Sequence, residues 1–220
     1  MNRQIVSTAD GSKTIRISDW DEQYHSMHGA VQEAQHVFIT HGLKLFRDRN
    51  INILEIGFGT GLNALITLLE APKLKLGIDY VGVEAHPVSL EDVGQLDYCG
   101  TLGHPELEEK FQGMHSAPWN QIKEVTGSFA LTKERKDFRE IEDRARFHLI
   151  YFDAFGARVQ PELWTEELFA IMYRALQKEG VLVTYSAKGS VRRAMQAVGF
   201  SVERLPGPPG KREMLRATKA

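Results

Sequence analysis

The residues best suited to chemistry stand in Glu55-Ile-Gly57-Phe-Gly59-Thr-Gly61-Leu-Asn63. Three alternate glycines follow the apolar, β-branched run Ile51–Ile56, a pattern that suits a strand buried on both faces of a parallel sheet. The glycines end the strand, permit a sharp bend and keep side chains away from a ligand at the main chain. Leu62, Leu65, Ile66 and Leu69 then recur at helical spacing up to Pro72. A strand, a bare turn and a helix N-terminus make the first half of a nucleotide-binding unit. The plainer alternative is a structural glycine turn. Three further acids fall at or just after predicted strand ends: Glu84, Asp137 and Asp153. Glu84 closes Asp79–Val83 and lies 23 residues beyond Gly61, close to the offset at which a carboxylate accepts from both ribose hydroxyls.

The loop is not the dinucleotide fingerprint G-x-G-x-x-G, because Leu62 stands where its third glycine belongs. It resembles instead the first motif of class I methyltransferases, E-x-G-x-G-x-G. Glu55, two residues before the first glycine, can face a cation, and S-adenosylmethionine carries both an ammonium and a sulfonium. Gly57, Gly59, Gly61 and Asn63 belong to the same motif, Asp137-Phe138 is placed to cover an adenine, and Asp153 ends the strand Phe147–Phe152. An NAD-dependent oxidoreductase on a similar sheet is the competing reading, weakened by Leu62.

The elements that must position these groups alternate along the chain. Arg3–Thr8 and Lys13–Ser18 flank Asp10-Gly11, a strong hairpin signal. Residues 19–26 read as a polar, aromatic loop able to lie over a ligand, and a helix follows Gly29 towards Phe46. Strands are expected at 51–56, 79–84, 128–132, 147–152 and 180–185, with two antiparallel strands at 200–205 and 213–217. Helices are expected after Pro161 and over 191–198. Such alternation predicts an α/β fold, a mostly parallel sheet of seven strands with helices on both faces. Its ligands bind at the carboxyl ends of the strands.

Composition sets outer bounds. The 220 residues are 42% hydrophobic and 25% charged, as in ordinary globular proteins. No stretch approaches the roughly 18 apolar residues of a membrane span, and the polar N-terminus lacks a leader's apolar core. A single cysteine, Cys99, forbids an intrachain disulfide and fits the cytoplasm. His25, His28, His36 and His41 lie close together, but no cysteine pair or H-E-x-x-H accompanies them, so no metal is expected. Residues 188–220 hold eight basic and two acidic residues, a local balance of +6 that leaves −8 elsewhere. Such asymmetry hints at a polyanionic partner, against the plainer reading of a solvated surface.

A wider set of residues resembles one family. It comprises Tyr24, Ser26 and Glu33; the glycine loop; Glu84 with Pro87; Asp153 with Phe155, Pro161, Trp164-Thr165 and Leu168-Phe169; Ser190–Arg193 before Gly199-Phe200; and Lys211-Arg-Glu-Met-Leu215. These are similar to the methyltransferase half of the bifunctional tRNA-modifying MnmC enzymes, whose stand-alone form is MnmD. The resemblance runs across nearly the whole chain. It implies a methyltransferase domain over 46–220 with a hairpin-and-helix extension over 1–45. It implies S-adenosylmethionine-dependent N-methylation of 5-aminomethyl-(2-thio)uridine at the tRNA wobble position, in the anticodon. A carboxylate at the pocket floor can orient an amine and help its proton leave, a role that falls to Asp153, the alternative being an Asp that only contacts the cofactor or serves the fold. Tyr24 and Ser26 would close over the uridine, while Arg192, Arg193, Lys211 and Arg212 would meet phosphates. No FAD chemistry is expected of this chain, so another enzyme would hand over the aminomethyl substrate. One departure is Phe155-Gly-Ala-Arg158, which lacks a proline present in the bifunctional enzymes. Two other readings stay open, methylation of a different amine and a catalytically silent RNA-binding module.

Overall fold

The computed structural model describes residues 3–220. β1 (Arg3–Ser7) and β2 (Lys13–Ile17) pair antiparallel, and β3 (Glu22–Gln23) adds to β2. The Asp10-Gly11 turn is tied down locally, for the Asp10 carboxylate accepts from the backbone N–H groups of Ser12 (3.0 Å) and Gln32 (3.0 Å). α1 (Ala30–Ala34) runs into one wide π-type turn, Gln35–Thr40, and a short 3-10 turn, Leu43–Leu45. Ala34 and Gln35 both keep right-handed helical backbone, so the helical path runs on to Thr40 and is interrupted only at Gly42, short of Phe46. Widened turns of this kind recur beside functional sites.

Strands and helices then alternate. β4 (Asn50–Ile56), α2 (Leu62–Glu70) and β5 (Gly77–Val83) form the expected first unit. Three short helices follow, α3 (Leu90–Gly94), α4 (Tyr98–Thr101) and α5 (Glu108–Ser116), before β6 (Ile122–Thr126) and β7 (Phe129–Glu134). β8 (Phe147–Phe152), α6 (Glu166–Ala175), β9 (Leu176–Thr184), α7 (Gly189–Ala197), β10 (Phe200–Pro206) and β11 (Glu213–Lys219) complete the chain. Pro161 opens only a 3-10 turn, and α6 starts where the Thr165 side chain accepts from the Leu168 N–H.

The main sheet runs β10-β11-β9-β8-β4-β5-β7-β6, parallel from β9 to β7 and antiparallel at both edges. It has eight strands where seven were expected. The extra one is β6, whose Ile-Lys-Glu-Val-Thr has no inward-facing apolar row and leaves Ile122 77% exposed at the edge. The central strands bury both faces with period two: Ile53, Tyr80, Leu149 and Tyr151 pack on one side, and Leu54, Val81, Ile150 and Phe152 on the other. Burial on both faces fixes the register, and register delivers the strand tips to one level. The strand order reverses at β4, so the loops after β4, β5, β7 and β8 converge at the switch point.

Candidate functional site

The glycine loop leaves β4 with Gly57 and Phe58 both donating to the Val83 carbonyl at 3.0 and 3.1 Å, which binds it to the tip of β5. Gly57 takes φ +89°, and a Cβ there would lie 2.9 Å from the Asp153 carbonyl oxygen. Gly61 takes φ +74°, where a Cβ would stand 2.6 Å from His115 Nε2. Both positions combine a left-handed backbone with a closed space, so only glycine fits. Gly59 between them turns its N–H onto Glu84 Oε2 at 3.1 Å. The His86 N–H holds the other Glu84 oxygen at 2.8 Å. Each oxygen keeps a free lone pair, which suits a vicinal diol.

Beside the loop opens a cavity of about 550 Å³, within the range of small-molecule sites. Gly57, Gly59, Glu84, Asp137, Phe138 and Asp153 line it from the sheet, and Tyr24, Ser26 and Glu33 from the N-terminal segment. Residues 19–26 therefore lie over the site, with Tyr24 edge-on to Phe155 at 4.9 Å and Trp20 edge-on to the same ring at 5.5 Å. Burial holds the Tyr24 phenol neutral, pushing its pKa up to about 12 although Arg3 lies nearby. Asp137 caps a 3-10 turn and forms a two-pronged pair with Arg139 at 2.8 and 2.7 Å, which lowers its pKa to about 2.

Asp153 is the least ordinary acid facing the cavity. Burial and the Glu33 charge raise its pKa to about 7, against the opposing effects of the Asn63 amide and the Lys211 ammonium. Asn63 Nδ2 bridges two acids, donating to Asp153 Oδ2 at 2.8 Å and to Glu55 Oε1 at 2.9 Å. Glu55 is 1% exposed and its second oxygen has no hydrogen-bond partner. Burial, outweighing the Asn63 amide, drives its pKa well above the carboxylate range. Glu55 is buried beneath the loop and is not among the residues that line the cavity. Its contact with the site passes through Asn63, itself 3% exposed, whose amide also donates to Asp153.

The expected cationic residues divide. Lys211 enters the cavity wall, where Nζ donates to Glu33 Oε2 at 2.6 Å and lies 3.9 Å from the centroid of the Tyr185 ring. Arg192 and Arg193 on α7, and Arg212 beyond β10, stand outside the cavity. Glu33 and Phe155 enter the sequence reading only as part of the family resemblance, with no role given to them, and Tyr185 only as the end of a strand. The first had a signal, a lone acid on the apolar helix face of α1. The other two look like core aromatics in sequence. Among the described residues no group of three or more His, Cys, Asp and Glu is placed to hold a metal ion. No helix among them is long and apolar enough to cross a membrane.

An open main-chain cradle with a diol acceptor at the next strand tip fits S-adenosylmethionine, and comparison with known proteins agrees. Residues 113–220 match the family described as S-adenosyl-L-methionine-dependent methyltransferase. The tRNA 5-methylaminomethyl-2-thiouridine biosynthesis bifunctional protein MnmC of Aromatoleum aromaticum is 35% identical, over 97% of this chain and 35% of the relative. The protein of the same name from Cupriavidus necator is 32% identical over 90% of this chain and 32% of its own length. This chain belongs to the MnmC-like S-adenosylmethionine-dependent methyltransferases. It spans about a third of the length of the curated relatives it matches. The crystal structure of MNMC2 from Aquifex aeolicus superposes with a TM-score of 0.79 at 25% identity, covering all of this chain and 70% of that one. Spermidine synthase from Thermotoga maritima shares the fold, with a TM-score of 0.61 at 13% identity. The chain is thus an S-adenosylmethionine-dependent methyltransferase of the class I fold, and its glycine loop lies in the half outside the family match at 113–220.

Proposed function

We propose that this methyltransferase converts 5-aminomethyl-(2-thio)uridine at the tRNA wobble position into its methylamino form. The observation that carries the proposal is Asp153, a cavity-facing carboxylate one hydrogen bond from Asn63 and beside both the glycine loop and the aromatic N-terminal flap. The names of the MnmC relatives specify 5-methylaminomethyl-2-thiouridine biosynthesis, which supplies the substrate class.

Bound S-adenosylmethionine supplies an electrophilic methyl group. Gly57 and Gly59 would admit the cofactor's backbone, Glu84 would accept from its ribose, and Asp137-Phe138 would border its adenine. An alkyl ammonium has no lone pair and cannot attack, so the reactive amine is neutral. The ionised Asp153 carboxylate accepts an N–H of that amine and aims its lone pair. It also offsets the positive charge that grows on nitrogen during transfer. Tyr24 and Ser26 would enclose the uridine, a base that RNA loops present unstacked. Arg192, Arg193, Lys211 and Arg212 would meet tRNA phosphates, since the residues from 188 onward carry +6. Nucleoside analysis of tRNA from cells lacking the protein should reveal accumulated aminomethyl nucleoside. An unchanged methylaminomethyl content would refute the proposal.

A further inference from the structure

The Lys211 ammonium sits in a preformed cation pocket. Glu33, only 7% exposed, accepts Lys211 Nζ on one oxygen at 2.6 Å and the Ser26 N–H on the other at 3.0 Å. The Tyr185 ring covers the same ammonium at 3.9 Å, and its hydroxyl donates to the Ala154 carbonyl at 2.8 Å, next to Asp153. Both partners are thus fixed by contacts that do not involve Lys211. A carboxylate converging with an aromatic face is the chemistry that recognises an alkyl ammonium. Glu33, Tyr185 and Asp153 line one cavity.

Lys211 reaches this pocket from the loop between β10 and β11, which has other anchors. His36 Nε2 meets the Pro206 carbonyl at 2.8 Å, and His28 packs so tightly on Gly210 that a Cβ there would lie 2.0 Å from its ring. The loop therefore stays docked if the ammonium leaves. Lys211 is 32% exposed along its side chain and neighbours the exposed Arg212, so its flexible stem has a route to the surface.

We propose that Glu33 and Tyr185 form the subsite for the substrate's ammonium, and that Lys211 fills this subsite as an internal stand-in until a substrate displaces it. The idea rests on the cavity accepting a primary amine, and it adds where that amine is first recognised. Exchange of one ammonium for another keeps Glu33 paired throughout, which avoids leaving a buried charge alone. The displaced Lys211 is then free to meet a phosphate. Arrival of the amine and grip on the polyanion become one event.

The test uses the full chain and n-butylammonium as probe, with butan-1-ol as neutral control, binding being read by ligand-observed NMR. Lys211→Ala empties the pocket and should bind n-butylammonium at least about tenfold more tightly than wild type. Adding Glu33→Gln should abolish that gain, and butan-1-ol should show none. Equal binding by wild type and Lys211→Ala, or a gain that survives Glu33→Gln, would overturn the proposal. If Lys211→Ala melts early, n-butylammonium should restore its melting transition and butan-1-ol should not; failure to restore it also overturns the proposal. A protein that binds the probe as expected but leaves tRNA unmethylated would retain the subsite and lose the tRNA substrate. Methylated tRNA without the gain in probe binding would do the reverse.

Discussion

Replacing Asp153 by Asn keeps the shape and the hydrogen-bond reach but removes the titrating charge, so it tests whether that charge is used. The carboxyl titrates near pH 7, burial being the main cause and the Glu33 charge the second. If transfer needs the ionised form, kcat/KM of the wild type contains the ionised fraction, which is about one half at pH 7, one tenth at pH 6 and one hundredth at pH 5. The substrate amine titrates identically in both proteins, so the ratio of the two profiles cancels it. The wild-type to Asp153→Asn ratio should be flat above about pH 7.5 and fall about tenfold per unit below 7. On the plateau the variant should be slower by about 10²–10⁴-fold. The assay is transfer of labelled methyl to undermodified tRNA over pH 5–9 at subsaturating tRNA, with S-adenosylmethionine affinity measured alongside. A ratio independent of pH, or a variant within twofold of wild type at pH 8, would refute the assignment.

Three further outcomes follow from the geometry. Glu84→Ala removes an acceptor for two backbone N–H groups and, in the proposed complex, for the ribose hydroxyls; calorimetry should show S-adenosylmethionine binding weakened by about 10–100-fold. Substituting Arg192, Arg193 and Arg212 together by Gln should lower the slope of log K against log salt for tRNA by up to about three, whereas an unaltered slope would mark them as ordinary surface. Asp153 has a folded pKa of about 7, above its ordinary value, so the native state binds an extra proton and stability falls as pH rises between about 4 and 7; Glu55, raised by burial, acts in the same direction. Asp153→Asn should therefore gain in melting temperature relative to wild type as pH rises through that window, with water in the cavity moderating the size; a constant difference would contradict the burial cause.

What sequence disclosed depended on how local the physics was. The strand, bare turn and helix at 51–69 could be read because each decision involves neighbours in the chain. Glu84 and Asp153 could be placed at strand tips once period-two burial set the register, whereas Tyr24 and Ser26 came from the polar, aromatic loop at 19–26 and the family resemblance. For Glu55 the motif places an acid two residues before Gly57 without saying which side of the loop it faces. In the fold it points to the interior, where the Asn63 amide donates to it at 2.9 Å. The pairing of Glu33 with Lys211 joins residues 178 positions apart, and no local pattern encodes that. The edge strand β6 was hidden for a different reason. It is a polar strand completed by its neighbour β7.

The central claim is that this cavity places a cofactor methyl group on the amine of a wobble uridine. It is tested most directly by incubating the protein with methyl-labelled S-adenosylmethionine and tRNA carrying aminomethyl uridine, then digesting the tRNA and analysing its nucleosides by mass spectrometry. The account predicts the label on the aminomethyl nitrogen of the wobble nucleoside alone. Label on any other nucleoside, or no transfer by a folded protein that binds the cofactor, would contradict it.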